Sequence, residues 1–304
     1  MTDLDLLVVG DCNPDLVLSG GDLVPRFSQI EQLVDEADLV IGGSASILAC
    51  GAARLGLRVA VASVVGDDVF GRFMRESLTE REVEVSSIAV SASTPTGLSV
   101  ILANGNDRAI LTRLGTIDAV SVEHVPRSLV ARARHVHVSS YYLLRNLIPH
   151  VPRLLATAHE LGATTSLDTN WDPSEQWQLD DVLEHTDVLM PNASEAVHIA
   201  HASSLTIATR HLRQRVGTIA VKLGAEGGEA YRGDEHAHAR APLVAVVDAV
   251  GAGDSFGAGF LAGLLRGASL EDTLALAVKC GSLSTRAAGG TTAQATLDEV
   301  TAAS

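Results

Sequence analysis

The strongest constraint on this 304-residue chain is an alternation: short runs rich in Val, Leu and Ala recur along it, with helically spaced apolar positions between them. Leu6-Leu7-Val8-Val9-Gly10 is the first such run, and a run that is continuously apolar belongs to a strand buried on both faces. From Ala45 onward, Leu48, Ala49, Ala52 and Leu55 recur at helical spacing, and Gly56 closes that helix before the run Val59 to Val65. The unit returns at His135 to Val138, in a helix from Pro149 to Leu161 ahead of Thr164 to Leu167, at Val188-Leu189-Met190 and at Thr218 to Val221. Strands alternating with helices predict an α/β fold: a doubly wound, mainly parallel sheet with helices on both faces. Length alone admits one large or two small domains, but without an internal repeat or interdomain linker residues 1–304 read as one.

Composition removes several function classes. A formal charge of −15 argues against a nucleic-acid partner, which needs clustered Lys and Arg, yet leaves a small anion held by local backbone dipoles entirely open. No apolar run is long enough to span a bilayer, and Met1-Thr2-Asp3-Leu4-Asp5 lacks a basic leader, so a cytoplasmic protein with no membrane partner is expected. Cys12, Cys50 and Cys280 are odd in number and widely spaced, which predicts reduced core residues. The pairs His135/His137, His198/His201 and His236/His238 have no zinc-like spacing and read as packed or solvated side chains.

The densest chemical signal is Asp248-Ala249-Val250-Gly251-Ala252-Gly253-Asp254-Ser255-Phe256-Gly257, which follows Leu243 to Val247 and reads as strand, tight glycine turn and helix. Near-absent side chains at Gly251, Ala252 and Gly253 let an anion approach backbone N–H groups at a helix start. An acid there would repel a phosphate unless a proton moves or a metal intervenes. Asp254 is therefore either a base beside an anion site or a first-turn acid favoured by the helix dipole. Gly251, Gly253 and Gly257 also give a loose dinucleotide-like pattern, but it is weak alone and lies far from the first strand.

Asn13 and Asp15 follow the first strand, at the end where ligands of open α/β sheets sit, although Asn13-Pro14 could equally form an Asx turn. Residues 16–39 lack helical period, and Thr96 to Ala103 with Arg108 to Thr112 flank Asn104-Gly105 as a hairpin. Trp171 and Trp177 flank Asp172-Pro173 and read as packing at a helix entry.

Asp-x-x-Gly-Ala-Gly-Asp at 248–254 resembles the signature of the ribokinase-like (PfkB) carbohydrate kinase family. Further elements resemble that family in chain order: Gly42-Gly43-Ser44-Ala45-Ser46 leading into Ala52 to Gly56, Val65 to Gly71, Asp168-Thr169-Asn170, Asn192 to Glu195 and Lys222 to Gly227. The resemblance implies ATP- and Mg2+-dependent phosphorylation of a primary hydroxyl of a neutral sugar or sugar-like compound. Asp254 would be general base, with the backbone of Gly251, Ala252, Gly253 and Asp254 as anion hole. It further implies a sugar site at Asn13, Asp15, Gly42, Gly43 and Asn170, beside Asp254. Nucleotide contacts would come from Asn192, Lys222, Gly224, Gly227, Gly251 and Gly253, and Asn192 and Glu195 would organise Mg2+ through water. A K+ ion near Asp248 is left open. Segments 12–40 and 94–114 would form a small β lid, whose exposed edges suggest a homodimer. On local grounds Asn192 and Glu195 also make a capping box, and Lys222 to Gly227 an ordinary strand-end turn.

The chain departs from the family pattern in several places. Ala249 and Val250 stand where threonines are common, Ile47 where an Asn often binds sugar, and Val278 where an Asn or His often flanks adenine. Asp172 replaces an Arg of the family's keto-acid kinases, which argues against a carboxylate-bearing substrate. The competing functions are a nucleoside kinase of the same family and a non-catalytic nucleotide- or sugar-sensing protein on this fold. An oxidoreductase is remote, since Val8-Val9-Gly10-Asp11-Cys12 has one glycine where a dinucleotide fingerprint needs several.

Overall fold

Every residue of β1, Leu4–Val9, is buried, as its unbroken apolar run requires, and successive side chains go to opposite layers. Leu6 and Val8 join one apolar layer, and Leu7 and Val9 the other. The computed structural model describes residues 2–104 and 107–301. The remaining strands are β2 Pro14–Ser19, β3 Glu36–Ile41, β4 Val59–Gly66, β5 Ile88–Ser91, β6 Leu98–Asn104, β7 Asp107–Arg113, β8 Ala133–Val138, β9 Thr164–Leu167, β10 Val188–Leu189, β11 Thr218–Lys222, β12 Gly228–Arg232 and β13 Glu235–Ala239. The helices are α1 Ser44–Arg54, α2 Val69–Glu80, α3 Arg127–Val130, α4 Val151–Glu160, α5 Asp180–Leu183, α6 Ala193–Ile199, α7 Leu205–Leu212, α8 Ala252–Leu265, α9 Leu270–Ser284 and α10 Leu297–Thr301.

The large sheet runs β13-β12-β11-β10-β9-β8-β1-β4-β5. All neighbours from β11 to β5 are parallel, and β12 and β13 add an antiparallel hairpin at one edge. The first layer holds Ile47 and Leu48 of α1, Phe256, Phe260 and Leu261 of α8, and Leu274 of α9; the second holds Leu154 and Leu155 of α4. A doubly wound sheet covered on both faces is therefore what the alternation produced. α8 lies close against α9: a Cβ on Gly259 or Gly263 would stand 2.9 Å from the Cα of Ala277 or Thr273. Small residues along one side of α8 allow that approach.

Parallel strands start at one edge of such a sheet and end at the other, so the turns after β1, β9, β10 and β11 collect on a single side. The second sheet, β3-β2-β6-β7, joins β2 and β6 in parallel and has antiparallel outer pairs. Three of the four strands fall within the expected segments 12–40 and 94–114, and β3 runs one residue past the first, to Ile41. Gly105 of the expected turn lies outside the described residues.

One expectation fails. Leu243 to Val247 is not a strand; it is irregular, with Leu243, Val246 and Val247 exposed. Its apolar side chains wall a cavity instead of entering the sheet, and the chain is tied down where the N–H groups of Val247 and Asp248 donate to Thr285 O at 2.8 and 3.1 Å. The edge hairpin β12–β13, which lacks long apolar runs, was not anticipated.

The histidines on β8 are packed. His135 and His137 are fully buried and share the Ser166 hydroxyl at 2.7 Å each, with Thr164 and Ser139 at the outer ends of the ladder. Burial pulls both down to about 3, helped at His137 by the Lys222 charge and opposed at His135 by Asp187, so the ladder is neutral. The three cysteines are free and buried. Among the described residues no helix is long and apolar enough to cross a membrane.

Candidate active site

The turn after β1 carries three acids or amides in five residues, and α1 starts opposite it. Asp11 accepts the N–H groups of Ser44 and Ala45 at 3.1 and 2.9 Å, so its buried carboxylate holds the first turn of α1. Beside it, Asn13 Nδ2 donates to Asp15 Oδ1 at 3.4 Å, and Asn13 Oδ1 is buried with no hydrogen-bond donor among the described residues. A Cβ on residue 42 would overlap the Asp15 carboxylate, and Gly43 has φ +75° with Asn13 Oδ1 3.0 Å from where its Cβ would be. Only glycines leave this space clear. Burial, reinforced by the charges of Asp11 and Asp254, pushes Asp15 up to about 7.

α8 begins across the site. Gly251 caps it in the left-handed region at φ 70°, wedged so that a Cβ would lie 2.7 Å from Gly290 Cα and 2.9 Å from Ile47 Cγ2. The first helical bond is Ser255 N–H to Gly251 O at 2.9 Å. Ala252 N–H turns back to Ala249 O at 3.3 Å, so of the expected anion hole the N–H groups of Gly251, Gly253 and Asp254 remain. Asp254 accepts a hydrogen bond from the Ser44 hydroxyl. Burial and then the Asp168 charge raise it to about 7, against the opposing pull of Ser44 and Lys222.

Lys222, at the end of β11, reaches the buried Asp168 at the end of β9, with Nζ to Oδ2 at 2.5 Å. Burial disfavours its ammonium, but Asp168, Glu195 and Asp254 more than offset this and raise its pKa. A Cβ on Gly253 would meet Lys222 Nζ at 3.6 Å, so the ammonium sits beside the α8 turn. Asn192 and Glu195 form the reciprocal capping box of α6: Glu195 N–H to Asn192 Oδ1 at 2.9 Å and Asn192 N–H to Glu195 Oε2 at 2.8 Å. Glu195 is buried and raised by that burial, while its Oε1 takes no part in the box. Among the described residues no cluster of three or more His, Cys, Asp or Glu is placed to hold a metal directly.

Asn170 sits at φ 53°, its N–H toward Asp168 Oδ1 at 3.3 Å and its Nδ2 donating to Ser140 Oγ at 3.0 Å. Asp248 is a loop clamp, accepting Val250 N–H on Oδ1 at 2.9 Å and Gly289 N–H on Oδ2 at 2.8 Å. Gly227 has φ 103°, and a Cβ there would overlap Ala239 O. Beyond the α8 turn opens a cavity of about 400 Å³ bordered by Lys222, Gly224, Gly227, Gly253, Phe256 and Val278, with Leu243, Val244 and Val246 as its outer wall.

Two departures read differently in three dimensions. Ile47 is buried behind Gly251 and Gly290, supporting the glycine turn from the back. Asp172 accepts from Ser174 N and Oγ, Gln176 N and Trp177 N at 2.7 to 2.9 Å, so its carboxylate is tied into its own loop. Sequence reasoning missed Asp11, Ser44 and Asp168 as site residues. Asp168 stood in a motif at a strand end, a usable signal, but its partner is 54 positions away.

The description "pfkB family carbohydrate kinase" belongs to a family model that matches residues 3–297. A fructokinase of Klebsiella pneumoniae is 31% identical over 274 residues, 83% of this chain and 88% of that protein. A 2-dehydro-3-deoxygluconokinase of Bacillus subtilis is 29% identical over 265 residues, 82% of each. Among solved structures, an E. coli protein provisionally named ribokinase II, in complex with ATP and Mg2+, superposes with a TM-score of 0.88 over 98% of both chains at 23% identity.

Proposed function

Because the chain belongs to the PfkB family of carbohydrate kinases, we propose that it transfers the γ-phosphoryl group of ATP to a primary hydroxyl of a neutral sugar or sugar-like compound, with Asp254 as general base. One observation carries this reading: the Asp254 carboxylate sits in the first turn of α8, between the glycine-cleared space of Asn13, Asp15, Gly42 and Gly43 and the Lys222 ammonium at the mouth of the cavity. An acceptor hydroxyl loses its proton late in phosphoryl transfer, so a carboxylate raised to about 7 is a competent base at neutral pH. The Gly253 and Asp254 N–H groups and Lys222 face the charge that develops on the moving phosphoryl group. Asn13 and Asp15 supply acceptors and a donor for sugar hydroxyls, and Asn170 closes that side. The cavity's size and apolar wall suit a nucleotide base.

Mg2+, when bound, neutralises charge on the phosphates. The residues fit a water-held ion: Glu195 Oε1 lies outside the capping box, next to Lys222 in the electrostatics of the site, and sparse protein ligation is the habit of this ion. The reading extends to a cytoplasmic enzyme, which suits three unpaired cysteines. It also extends to a dimer through β3 and β7, the edges of the four-stranded sheet, where Leu39, Ile110 and Leu111 are exposed. Sedimentation showing only monomer at micromolar concentration would remove the dimer.

The experiment is a panel of neutral sugars, sugar acids and nucleosides scored for ADP release, with Asp254→Asn as blank. A neutral sugar is expected to lead. A sugar acid in first place, as the Bacillus subtilis relative's name suggests for that protein, would transfer substrate recognition to Arg108 of β7, whose charge is felt at Asp15. A nucleoside in first place selects the other kinase reading. ATP binding without turnover of any compound selects a sensor.

A further inference from the structure

The Ser44 hydroxyl points at the proposed base from a different helix. We propose that Ser44 is a positioning residue, donating to Asp254 Oδ1 so that Oδ2 is the oxygen that meets the acceptor hydroxyl. The inference rests on Asp254 being the base. It is carried by the rigidity of both ends of the bond. Ser44 is the first residue of α1, its backbone N–H donates to Asp11 Oδ2 at 3.1 Å, and it is 9% exposed. Asp254 is the third residue of α8. The two helices are locked together, since a Cβ on Gly51 of α1 would stand 2.9 Å from Ala258 Cβ of α8, and one on Gly257 of α8 2.9 Å from Leu48 Cδ1 of α1. The hydroxyl and the carboxylate therefore keep their relation without help from a substrate. A carboxylate with one oxygen tied presents the other in a fixed direction, and effective proton transfer depends on that alignment.

The bond also sets base strength. The ionisable groups around Asp254 are Asp11 after β1, Asp168 at the end of β9, and Lys222 on β11, and Asp15 on β2 feels its charge in turn. Burial and the acids favour the protonated form; Lys222 and the Ser44 donor favour the ionised one. Deleting the donor raises the pH at which the base becomes available.

The test compares wild type, Ser44→Ala, Ser44→Thr and Asp254→Asn across about pH 5 to about pH 9, using whichever of D-fructose and D-ribose turns over faster. With Ser44→Ala the acid limb of kcat/KM should move to higher pH, with about tenfold loss at the low end that shrinks at the high end, and unchanged KM for ATP. Ser44→Thr, which keeps the hydroxyl, should restore the profile. In the ligand-free protein, carbon NMR titration of the Asp254 carboxyl should move the same way, which requires no substrate. An unshifted limb and titration would overturn the proposal, and so would a raised sugar KM at constant kcat, since Ser44 would then be a sugar contact. Full activity of Asp254→Asn would instead remove the base assignment itself. If Ser44→Ala does not fold, Ser44→Cys keeps the volume with a weaker donor and should show a smaller shift in the same direction.

Discussion

The floor of the site and the wall of its cavity are built on opposite principles. On the floor, Asp11, Asp15, Asp168, Lys222 and Asp254 are brought within reach of one another, and each carries a named hydrogen bond to a helix start, a hydroxyl, an amide or an opposite charge. On the wall, Leu243 and Val246 stand in solvent with no polar function. The difference follows from what each must do. Charge that develops during a reaction needs groups that are already aimed and already dehydrated. On the proposed reading, a flat apolar ligand needs only surface to be covered, and binding would complete a wall that stands open in the free protein.

The comparison predicts that floor substitutions act on turnover and stability, and wall substitutions weakly on nucleotide KM. The largest effect should be Asp254→Asn, with turnover reduced roughly 10²- to 10⁴-fold and ATP binding nearly unchanged, read by steady-state ADP release and by calorimetric titration with ATP. If Asp254 only favoured a helix start, Asn would serve as well and activity would persist. Next, Lys222→Met leaves the fully buried Asp168 without its cation, and denaturant unfolding should show a loss of about 3–5 kcal/mol. A loss below about 1 kcal/mol would mean that the buried pair adds no net stability, its desolvation offsetting its attraction. Asp15→Ala should weaken sugar KM about 10- to 100-fold while sparing ATP, the value of one or two charged hydrogen bonds. Val246→Ser on the wall should raise ATP KM by less than about tenfold.

Floor electrostatics also fix a pH dependence of stability. Asp15 and Asp254 are raised from 3.8 to about 7, so between about pH 4 and about pH 7 the folded ligand-free protein holds protons that the unfolded chain has released. These two acids therefore contribute stability that is lost as pH rises through that window, opposed up to about pH 6.5 by the buried neutral His135 and His137, whose lowered values make the unfolded chain the better proton binder. Asp254→Asn removes one of the two groups and should melt higher than wild type at pH 8, with the gap closing near pH 5. A gap between Asp254→Asn and wild type that does not change between about pH 5 and about pH 8 would show that this acid ionises freely and that the floor is wetter than described.

Much of the architecture was legible because burial on both faces leaves a mark in one dimension. β1, β4 and β11 had to be continuous apolar runs, and Gly56 had to end α1 in the left-handed region, where its φ is 84°. The same reasoning failed at Leu243 to Val247, because an apolar run carries no guarantee that its side chains are buried: here they stay largely exposed along the outer side of a cavity, and no strand among the described residues pairs with them. It was silent on the short, polar β12–β13 hairpin, whose pairing comes from its neighbour β11.

At the site, the sequence by itself marked the turn at Gly251, Ala252 and Gly253 as backbone that an anion could approach, while Gly42 and Gly43 were marked by the family resemblance. What it could not determine was which side chains face one another there. Ser44 meets Asp254 across 210 positions and Lys222 meets Asp168 across 54, and those pairings exist only because parallel strands end on the same edge and two glycine-bearing helices pack side by side. Asp172 and Ile47 show the same limit from the other direction: an acid and an apolar residue at suggestive positions are engaged, the one by its own loop and the other by the Gly251 and Gly290 backbone. Local conformation is encoded by neighbours in the chain, whereas the field felt by a buried carboxylate is a sum over charges that only the folded topology assembles.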